Sequence, residues 1–436
     1  MSNFDHLCVL GLGYIGLPTA VMFAKHGLKV HGVDVNPKVV ESLLNKELHI
    51  EEPGLKEMMI DVMNHGQLTI GTEPQIADAY IIAVPTPINS DKSANLDYVI
   101  NAAEMILPYL RENSLVVLES TVPPRTIEDV LVPVLSKSGL KIGEQLFVSH
   151  SPERVLPGKL FEELVNNDRV VGGINERSSQ MTAELYKLFV KGNIHITDAT
   201  TAEMVKLMEN TYRDVNIALA NEFAKIAENL GFNVWEAIRL ANYHPRVNIH
   251  RPGPGVGGHC IAVDPWFIYE KAPTTAQLIH MSRMINDHMP DYVVSKLEEF
   301  LKDINDPVIA ILGLAFKGNI DDMRESPAVH VVNKLRKKGY RLRVYDPYIN
   351  QPFDDKTVDF DAAIDSADCI LILTDHDQFK HIDPKHSSKK LRTARIMDTR
   401  NVINKTLWEL EGFKVYSLGM EKLEKNQSMH ISKLFI

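Results

Sequence analysis

The stretch Gly11-Leu12-Gly13-Tyr14-Ile15-Gly16 decides how this chain is read. It follows a short apolar run, Leu7–Val9, and opens a helical pattern from about Leu17 to His26. A second apolar run, Leu28–Val33, ends on Asp34. Strand, glycine turn, helix, strand and acid form the context in which GxGxxG marks a dinucleotide site. Gly11 makes the turn, Gly13 admits the pyrophosphate and Gly16 lets helix pack on sheet. The helix amides around Tyr14, Ile15 and Gly16 then face the phosphates. Asp34 is expected to accept the ribose hydroxyls, and its charge favours NAD over NADP, whose extra phosphate it repels.

Further strands are predicted at Ala79–Val84, Leu115–Glu119, Phe147–His150 and Asn193–Thr197, separated by polar or helical stretches as a doubly wound sheet requires. They run into loops carrying Pro85-Thr86-Pro87, Ser120-Thr121-Val122-Pro123-Pro124 and Ser151-Pro152-Glu153-Arg154. Ligands in such folds bind beyond the carboxyl ends of strands, so these loops are expected to line one crevice. From about Thr200 to Leu230 the pattern is one long helix, and helical sequence continues to about Lys302. Asp306-Pro307 punctuates the chain before a second α/β region at Val308–Leu312. There the glycine turn is degenerate: Gly313-Leu314-Ala315-Phe316-Lys317-Gly318 has Ala for the middle Gly and an added Lys. A helix near Pro327–Lys338, a strand Arg341–Tyr345 ending on Asp346, and strands Cys369–Leu373 and Arg395–Asp398 complete it. The predicted fold is therefore α/β: two Rossmann-like doubly wound parallel-sheet domains, 1–199 and 305–436, joined by a helical central domain, 200–304. The altered turn argues that the second copy takes a nucleotide or nucleotide-sugar rather than NAD.

Composition narrows the class. A chain of 436 residues exceeds one ordinary core, and 44% hydrophobic with 24% charged residues describes a globular protein. A net charge of −10 with no basic stripe gives no support to a nucleic-acid partner. No apolar run approaches a membrane span, and no signal peptide is read at the N-terminus. Cys8, Cys260 and Cys369 lie far apart without metal-type spacing, so no metal site is expected and a reducing cytoplasm is. Cys8 and Cys369 fall inside predicted strands and read as core.

Cys260 stands apart. It follows Gly253-Pro254-Gly255-Val256-Gly257-Gly258-His259, and Asp264 comes four residues later. Such a loop excludes regular structure and lets backbone approach a ligand closely. On the long helix Lys206, Asn210 and Arg213 share one face, while Val205, Met208, Tyr212 and Val215 on the neighbouring face look like core. Spacing alone makes the charged row a solvated face.

Nearly the whole chain, roughly 5–420, resembles the UDP-glucose/GDP-mannose dehydrogenase family. The resemblance is carried by GLGYIG (11–16), Pro-Thr-Pro (85–87), Ser-Thr-Val-Pro-Pro (120–124), Ser-Pro-Glu-Arg (151–154), Glu203-Met204-Val205-Lys206 with Asn210, GGHCIAVDP (257–265), and Phe316-Lys317 with Arg324-Glu325-Ser326-Pro327. It implies a four-electron oxidation of C6 of a nucleotide sugar to a carboxylate, with two NAD reduced per turnover. Cys260 is then the nucleophile that forms a thiohemiacetal and thioester. Lys206 and Asn210 stabilise negative charge on the C6 oxygen, and Asp264 orients Lys206 or water. Glu153 and Thr121 match the family's residues for thioester hydrolysis and water positioning, with Thr121, Pro85 and Thr86 also at the cofactor. Substrate binding is implied for Arg154, Val155, Lys206, Asn210, Arg213, His244, Arg246, Gly257, Lys317, Arg324 and Arg400, because two phosphates need several cations. The residue matching Arg246 reaches a neighbouring subunit's site in the family, which implies a homodimer or dimer-based oligomer.

Within the family, the runs 152–158, 167–173, 213–218, 244–248 and 260–267 point to UDP-N-acetyl-D-mannosamine as substrate. Ser151 and Met323 depart from the glucose branch, whereas Arg400 in Asp398-Thr399-Arg400 follows it, so UDP-N-acetylglucosamine and UDP-glucose stay open. Two other classes share the architecture: a two-electron hydroxyacid or 6-phosphogluconate type dehydrogenase, which needs no Cys, and a non-catalytic nucleotide sensor, which needs neither Cys260 nor Lys206.

Overall fold

Apolar runs of four or five residues alternate with helices along most of the chain, and they assemble into two sheets. The computed structural model describes residues 4–50, 52–155 and 158–420; Leu156 and Pro157 of the 152–158 run lie outside them. The chain clusters into two compact units. One holds the chain up to Asn210 together with Asp264–Ala276; the other holds Thr211–Val263 and the chain from Gln277 onward. The division falls inside the long helix, Ala199–Leu230.

The first unit carries strands β1 (His6–Leu10), β2 (Lys29–Val33), β3 (Leu68–Gly71), β4 (Ala79–Ile82), β5 (Ser114–Leu118), β6 (Leu146–His150), β7 (Arg169–Gly173) and β8 (Ile194–Asp198). Their order is 3-2-1-4-5-6-7-8, so the chain reverses direction across the sheet between β1 and β4. That switch point opens a crevice beyond the carboxyl ends of the strands. Strands β3 and β7 were not anticipated from sequence, β3 because four residues give too little periodicity.

The sheet also departs from the all-parallel expectation at one place. Strand β7 runs antiparallel to β6, pairing Ser149 with Gly173 and His150 with Gly172. The connection from β6 therefore brings the chain back at the end of the sheet where β6 finished. It is held by Glu52, whose carboxylate accepts the amides of Gly158 (2.8 Å) and Leu160 (2.9 Å) at the start of helix Leu160–Asn166.

The second unit carries β9 (Val308–Leu312), β10 (Arg341–Tyr345), β11 (Cys369–Ile372), β12 (Arg395–Asp398) and β13 (Lys414–Ser417) in the parallel order 10-9-11-12-13. Strand β13 adds an edge to the four strands that were expected. Helix Pro327–Lys337 starts as its sequence dictates, with Ser326 capping the Ala328 amide and proline in the first turn. The second half of the long helix is fixed through half-buried Glu228, which accepts from the hydroxyls of Tyr292 (2.7 Å) and Tyr416 (2.6 Å) and from the Gly419 amide (2.9 Å).

Cys8 and Cys369 are buried in β1 and β11, as expected of core thiols, and burial pushes Cys8 up to about 12. The reading of Met208 and Tyr212 as core is wrong: they are 57% and 61% exposed. The helix instead buries Leu207, the small Ala202 and Ala218, and the polar Asn210, Asp214 and Asn221, which are satisfied by hydrogen bonds. Among the described residues no helix is long and apolar enough to cross a membrane.

Helix-on-sheet contact at the first glycine turn gives a direct test. A Cβ on Gly16 would lie 1.8 Å from the Gly11 carbonyl oxygen. Gly16→Ala is expected to cost at least the ~1–3 kcal/mol of an overpacked core, read as a lower melting temperature together with weaker NAD binding.

Candidate active site

The first unit offers a dinucleotide cradle whose shape follows from its glycines. Gly11 takes φ +89°, and a side chain there would strike the Ala83 carbonyl at 2.6 Å. Nothing lies within 4 Å of a Cβ built on Gly13, so that face of the turn is open. Helix Gly16–Lys25 begins with no side-chain cap and no acid in its first turn, which leaves its positive end for an anion. Tyr14 and Ile15 are half-buried beside it. Asp34 accepts the Leu12 amide at 3.0 Å and the Asn36 amide at 2.9 Å and stays partly exposed, with acceptor capacity for ribose hydroxyls. These residues fit NAD.

The loops after β4 and β5 form one clamp beside that turn. Thr86 Oγ1 donates to the Thr121 carbonyl (2.6 Å) and Ser120 Oγ to the Val84 carbonyl (2.7 Å). Pro85 is exposed, and Thr121 is half-buried. The clamp is fastened to the long helix by Glu203, buried and accepting the amides of Arg125 (2.5 Å) and Ile127 (2.8 Å). Burial, eased by those two amides, pushes Glu203 up to about 7. Sequence reasoning quoted Glu203 only as part of a motif; a carboxylate among apolar neighbours at the start of a long helix was the available signal.

Two turns further along the helix, Asn210 Nδ2 donates to Asp264 Oδ2 at 2.6 Å, with both side chains buried. Burial pushes Asp264 up to about 6; the Asn210 hydrogen bond and the Lys206 charge pull the other way. Lys206 is half-buried on the same helix face. The unit thus gathers Lys206, Asn210 and Asp264 as expected.

Beyond β6, the Glu153 carboxylate accepts the Arg154 amide (2.7 Å) and pairs with Arg169. Arg154 does not stand open for a phosphate: it pairs with Glu209 at 2.7 Å and donates to the Asp168 carbonyl. Val155 packs partly buried against the core.

In the second unit the Cys260 loop is pressed onto the loops of the smaller sheet. A Cβ on Gly253 would lie 2.4 Å from Arg400 Nη1; one on Gly257 would lie 2.6 Å from the Glu325 carbonyl and 2.8 Å from Phe316 Cβ. The Gly258 amide donates to the Arg324 carbonyl at 3.1 Å, and a turn from Cys260 to Val263 leads into helix Asp264–Lys271. Glycine is needed here because backbone must lie against guanidinium and backbone. Cys260 is half-buried. Arg400 pairs with Asp375 (2.8 Å), exposed Arg324 with Asp322 (2.6 Å), and Lys317 is exposed on the degenerate turn. Arg213, His244 and Arg246 are exposed and reach none of these loops in the described contacts.

The degenerate turn has a physical reason not to repeat the first. Asp346, 3% exposed, accepts the amides of Leu314 (2.7 Å), Ala315 (3.1 Å) and Tyr348 (2.9 Å), and His376 Nε2 lies 3.0 Å away. Burial alone would raise its pKa, but His376 and these amides hold it at about 2. Unlike Asp34, it has no capacity left for a ribose.

Family models for the NAD binding, central and UDP binding domains of the UDP-glucose/GDP-mannose dehydrogenase family match residues 5–190, 200–288 and 310–405. The chain belongs to that family. It is an NAD-dependent oxidoreductase of sugar nucleotides, with a UDP binding domain at residues 310–405. It is 51% identical over 420 residues to UDP-N-acetyl-D-mannosamine dehydrogenase of Methanocaldococcus jannaschii, covering 95% of this chain and 96% of that one. It is 44% identical over 412 residues to NDP-N-acetyl-D-galactosaminuronic acid dehydrogenase of Ralstonia solanacearum, covering 92% and 96%. Among solved structures, UDP-D-ManNAc dehydrogenase of Pyrococcus horikoshii superposes with a TM-score of 0.89 at 42% identity, covering 95% and 99%.

Two outcomes test this dehydrogenase's site. Asp264 loses its proton as pH rises through about 6 and then holds the Lys206 charge. The rate is therefore expected to fall about tenfold per pH unit below that point, and Asp264→Asn should lower kcat and remove that acid limb from the pH profile. Gly257→Ala should raise KM for the nucleotide sugar and lower kcat, while the affinity for NAD measured by calorimetry stays within about threefold, since the clash is confined to the second unit's loops.

Proposed function

We propose that this enzyme oxidises C6 of UDP-N-acetyl-D-mannosamine to the carboxylate of UDP-N-acetyl-D-mannosaminuronate through a covalent intermediate on Cys260. The observation that carries the substrate is the half-identical, near full-length relative that bears this activity in its name, joined to the runs 244–248 and 260–267 around Cys260. Alcohol, two NAD⁺ and one water give carboxylate, two NADH and three protons. NAD, held by Gly11, Gly13, Tyr14, Ile15, Gly16 and Asp34, with Pro85, Thr86 and Thr121 at its inner edge, supplies the hydride acceptor.

The chain's own residues divide the rest. The Cys260 thiolate adds to the C6 aldehyde, so that C–S bond formation gives a thiohemiacetal whose oxidation leaves a thioester. Lys206 and Asn210 hold the negative charge that gathers on the C6 oxygen, and Asp264 keeps Lys206 and Asn210 in place. In the last step water oxygen bonds to C6 and the C6–Sγ bond breaks. One proton of that water ends on sulfur, and the other passes to solvent through Glu153, with Thr121 orienting the water. Arg154, Val155, Arg213, His244, Gly257, Lys317, Arg324 and Arg400 bind the nucleotide sugar, with Arg154 exchanging its Glu209 partner for phosphate.

The roles divide the chain into a cofactor domain (1–199), a helical domain bearing the Cys loop (200–304) and a UDP-sugar domain (305–436). Exposed Met208, Tyr212, Leu219 and Ile226 along one helix support a homodimer in which Arg246 serves the neighbouring subunit. Three cysteines that lie far apart in sequence suit a reducing cytoplasm. Arg400, which follows the glucose-type pattern, favours UDP-glucose as the second reading, with UDP-N-acetylglucosamine beside it.

A panel of UDP- and GDP-sugars, scored by NADH release and product mass, is expected to give the highest kcat/KM for UDP-N-acetyl-D-mannosamine with two NADH per sugar. One NADH per sugar would identify a simple two-electron dehydrogenase. Cys260→Ser should abolish carboxylate formation; near-normal uronate from that variant would refute the thioester route.

A further inference from the structure

The antiparallel reversal at β7 brings an arginine to a place that no motif reading assigned. Strand β7 begins at Arg169, and its register with β6 pairs Ser149 with Gly173 and His150 with Gly172. Continued past β6, the same register sets residue 153 opposite residue 169, and there the Glu153 carboxylate pairs with the Arg169 guanidinium. Arg169 is 5% exposed. Its Nη1 also donates to Ser151 Oγ at 3.1 Å and lies 3.4 Å from Glu119 Oε1, just past β5. Its guanidinium carbon sits 4.1 Å from the Tyr186 ring centroid, and the Tyr186 hydroxyl donates to Glu119 at 2.5 Å. A carboxylate, an arginine and a second carboxylate thus stack inward from the crevice, closed by a tyrosine and by Thr19 Oγ1, 3.4 Å from Glu119.

A cation this deeply buried is costly unless its partners are fixed and hydrogen-bonded. Here the partners come from the loop after β6 (Ser151 and Glu153), the end of β5 (Glu119) and helix Glu176–Tyr186, and the rotamer of Glu153 is set by Arg169 on one oxygen and the Arg154 amide on the other. Burial, only partly offset by Arg169, pushes Glu119 up to about 7.

We propose that Arg169 is a positioning residue for the hydrolytic half of the reaction, fixing the Glu153 carboxylate in the orientation in which it receives the proton of the water that cleaves the Cys260 thioester. The inference rests on the role of Glu153 given above. The bond changes are those of that step: water oxygen to C6, C6–Sγ broken, one proton to sulfur and one through Glu153 to solvent. Arg169 touches none of the reacting atoms. Lysine has one charge but no fork, so it can reach one carboxylate at a time.

The test uses the full-length enzyme with UDP-N-acetyl-D-mannosamine and NAD, following the NADH burst and the mass of the intact protein after quenching. Arg169→Met is expected to leave a burst of two NADH per active site, slow the steady state about 10- to 100-fold, and accumulate a sugar adduct on Cys260. Arg169→Lys should recover part of the steady-state rate. Because Arg169→Met strands Glu119 beneath it, the double variant Arg169→Met with Glu119→Gln provides a folded background, and it should accumulate the same adduct. Folded Arg169 variants that turn over slowly with no burst and no adduct overturn the proposal. Glu153→Gln separates the two ideas. Adduct in Glu153→Gln but in no Arg169 variant sinks the positioning role alone; no adduct in either sinks the reading of Glu153 and the proposal with it.

Discussion

A buried hydrogen bond from Asn210 to Asp264 at 2.6 Å joins residues 54 apart in sequence and, with the Ala94 amide on the Glu270 carboxylate at 2.9 Å, ties the segment Asp264–Ala276 into the first unit. Leaving either group without its partner in that environment costs about 1–3 kcal/mol, more for the charged one. The chain leaves the first unit within the long helix, makes the glycine-rich loop in the second unit, and returns at Asp264. Cys260 and Asp264 are four residues apart, yet they belong to different compact units. The glycines of the loop before Cys260 serve close approach to Arg400, Phe316 and Glu325 rather than freedom.

Buried carboxylates recur throughout the first unit's crevice: Glu119, Glu203 and Asp264 are all pushed above their ordinary range by burial. Each has a named set of donors, namely Tyr186 with Arg169, two loop amides, and Asn210. Such clustering is common at functional sites, because low dielectric strengthens whatever charge is held there. It also explains why the long helix buries polar side chains and leaves Met208 and Tyr212 outside. The helix's inner face is taken up with fixing loops through Glu203 and Asp264 through Asn210.

The parts of the fold legible in the sequence were those with local signatures. The first glycine turn, Asp34, the strands with four or five consecutive apolar residues and the long helix follow from periodicity and turn chemistry. Strands β3, β7 and β13 escaped because each is short and mixed in character, and the direction of β7 is a property of pairing rather than of its residues. In the site, Lys206, Asn210 and Asp264 could be given roles from a motif, whereas Glu203 and Arg169, though they lie inside quoted motifs, could not. Their partners, the amides of 125 and 127 and the carboxylates of 119 and 153, are 16 to 78 residues away.

The sequence by itself determined the class of chemistry. A dinucleotide turn, a thiol among glycines and a second, altered turn require specific residue types at short spacing, and short spacing survives without a structure. Tertiary structure alone decided which charges are available. Asp34 keeps acceptor capacity while Asp346 is used up by amides and His376, although both end a second strand after a glycine turn. Likewise Arg154 is engaged by Glu209 and Arg169 is locked between two acids, although both arginines sit at polar loops or strand ends in the sequence. Charge–charge energies depend on distance and burial, and neither is written in the order of the residues.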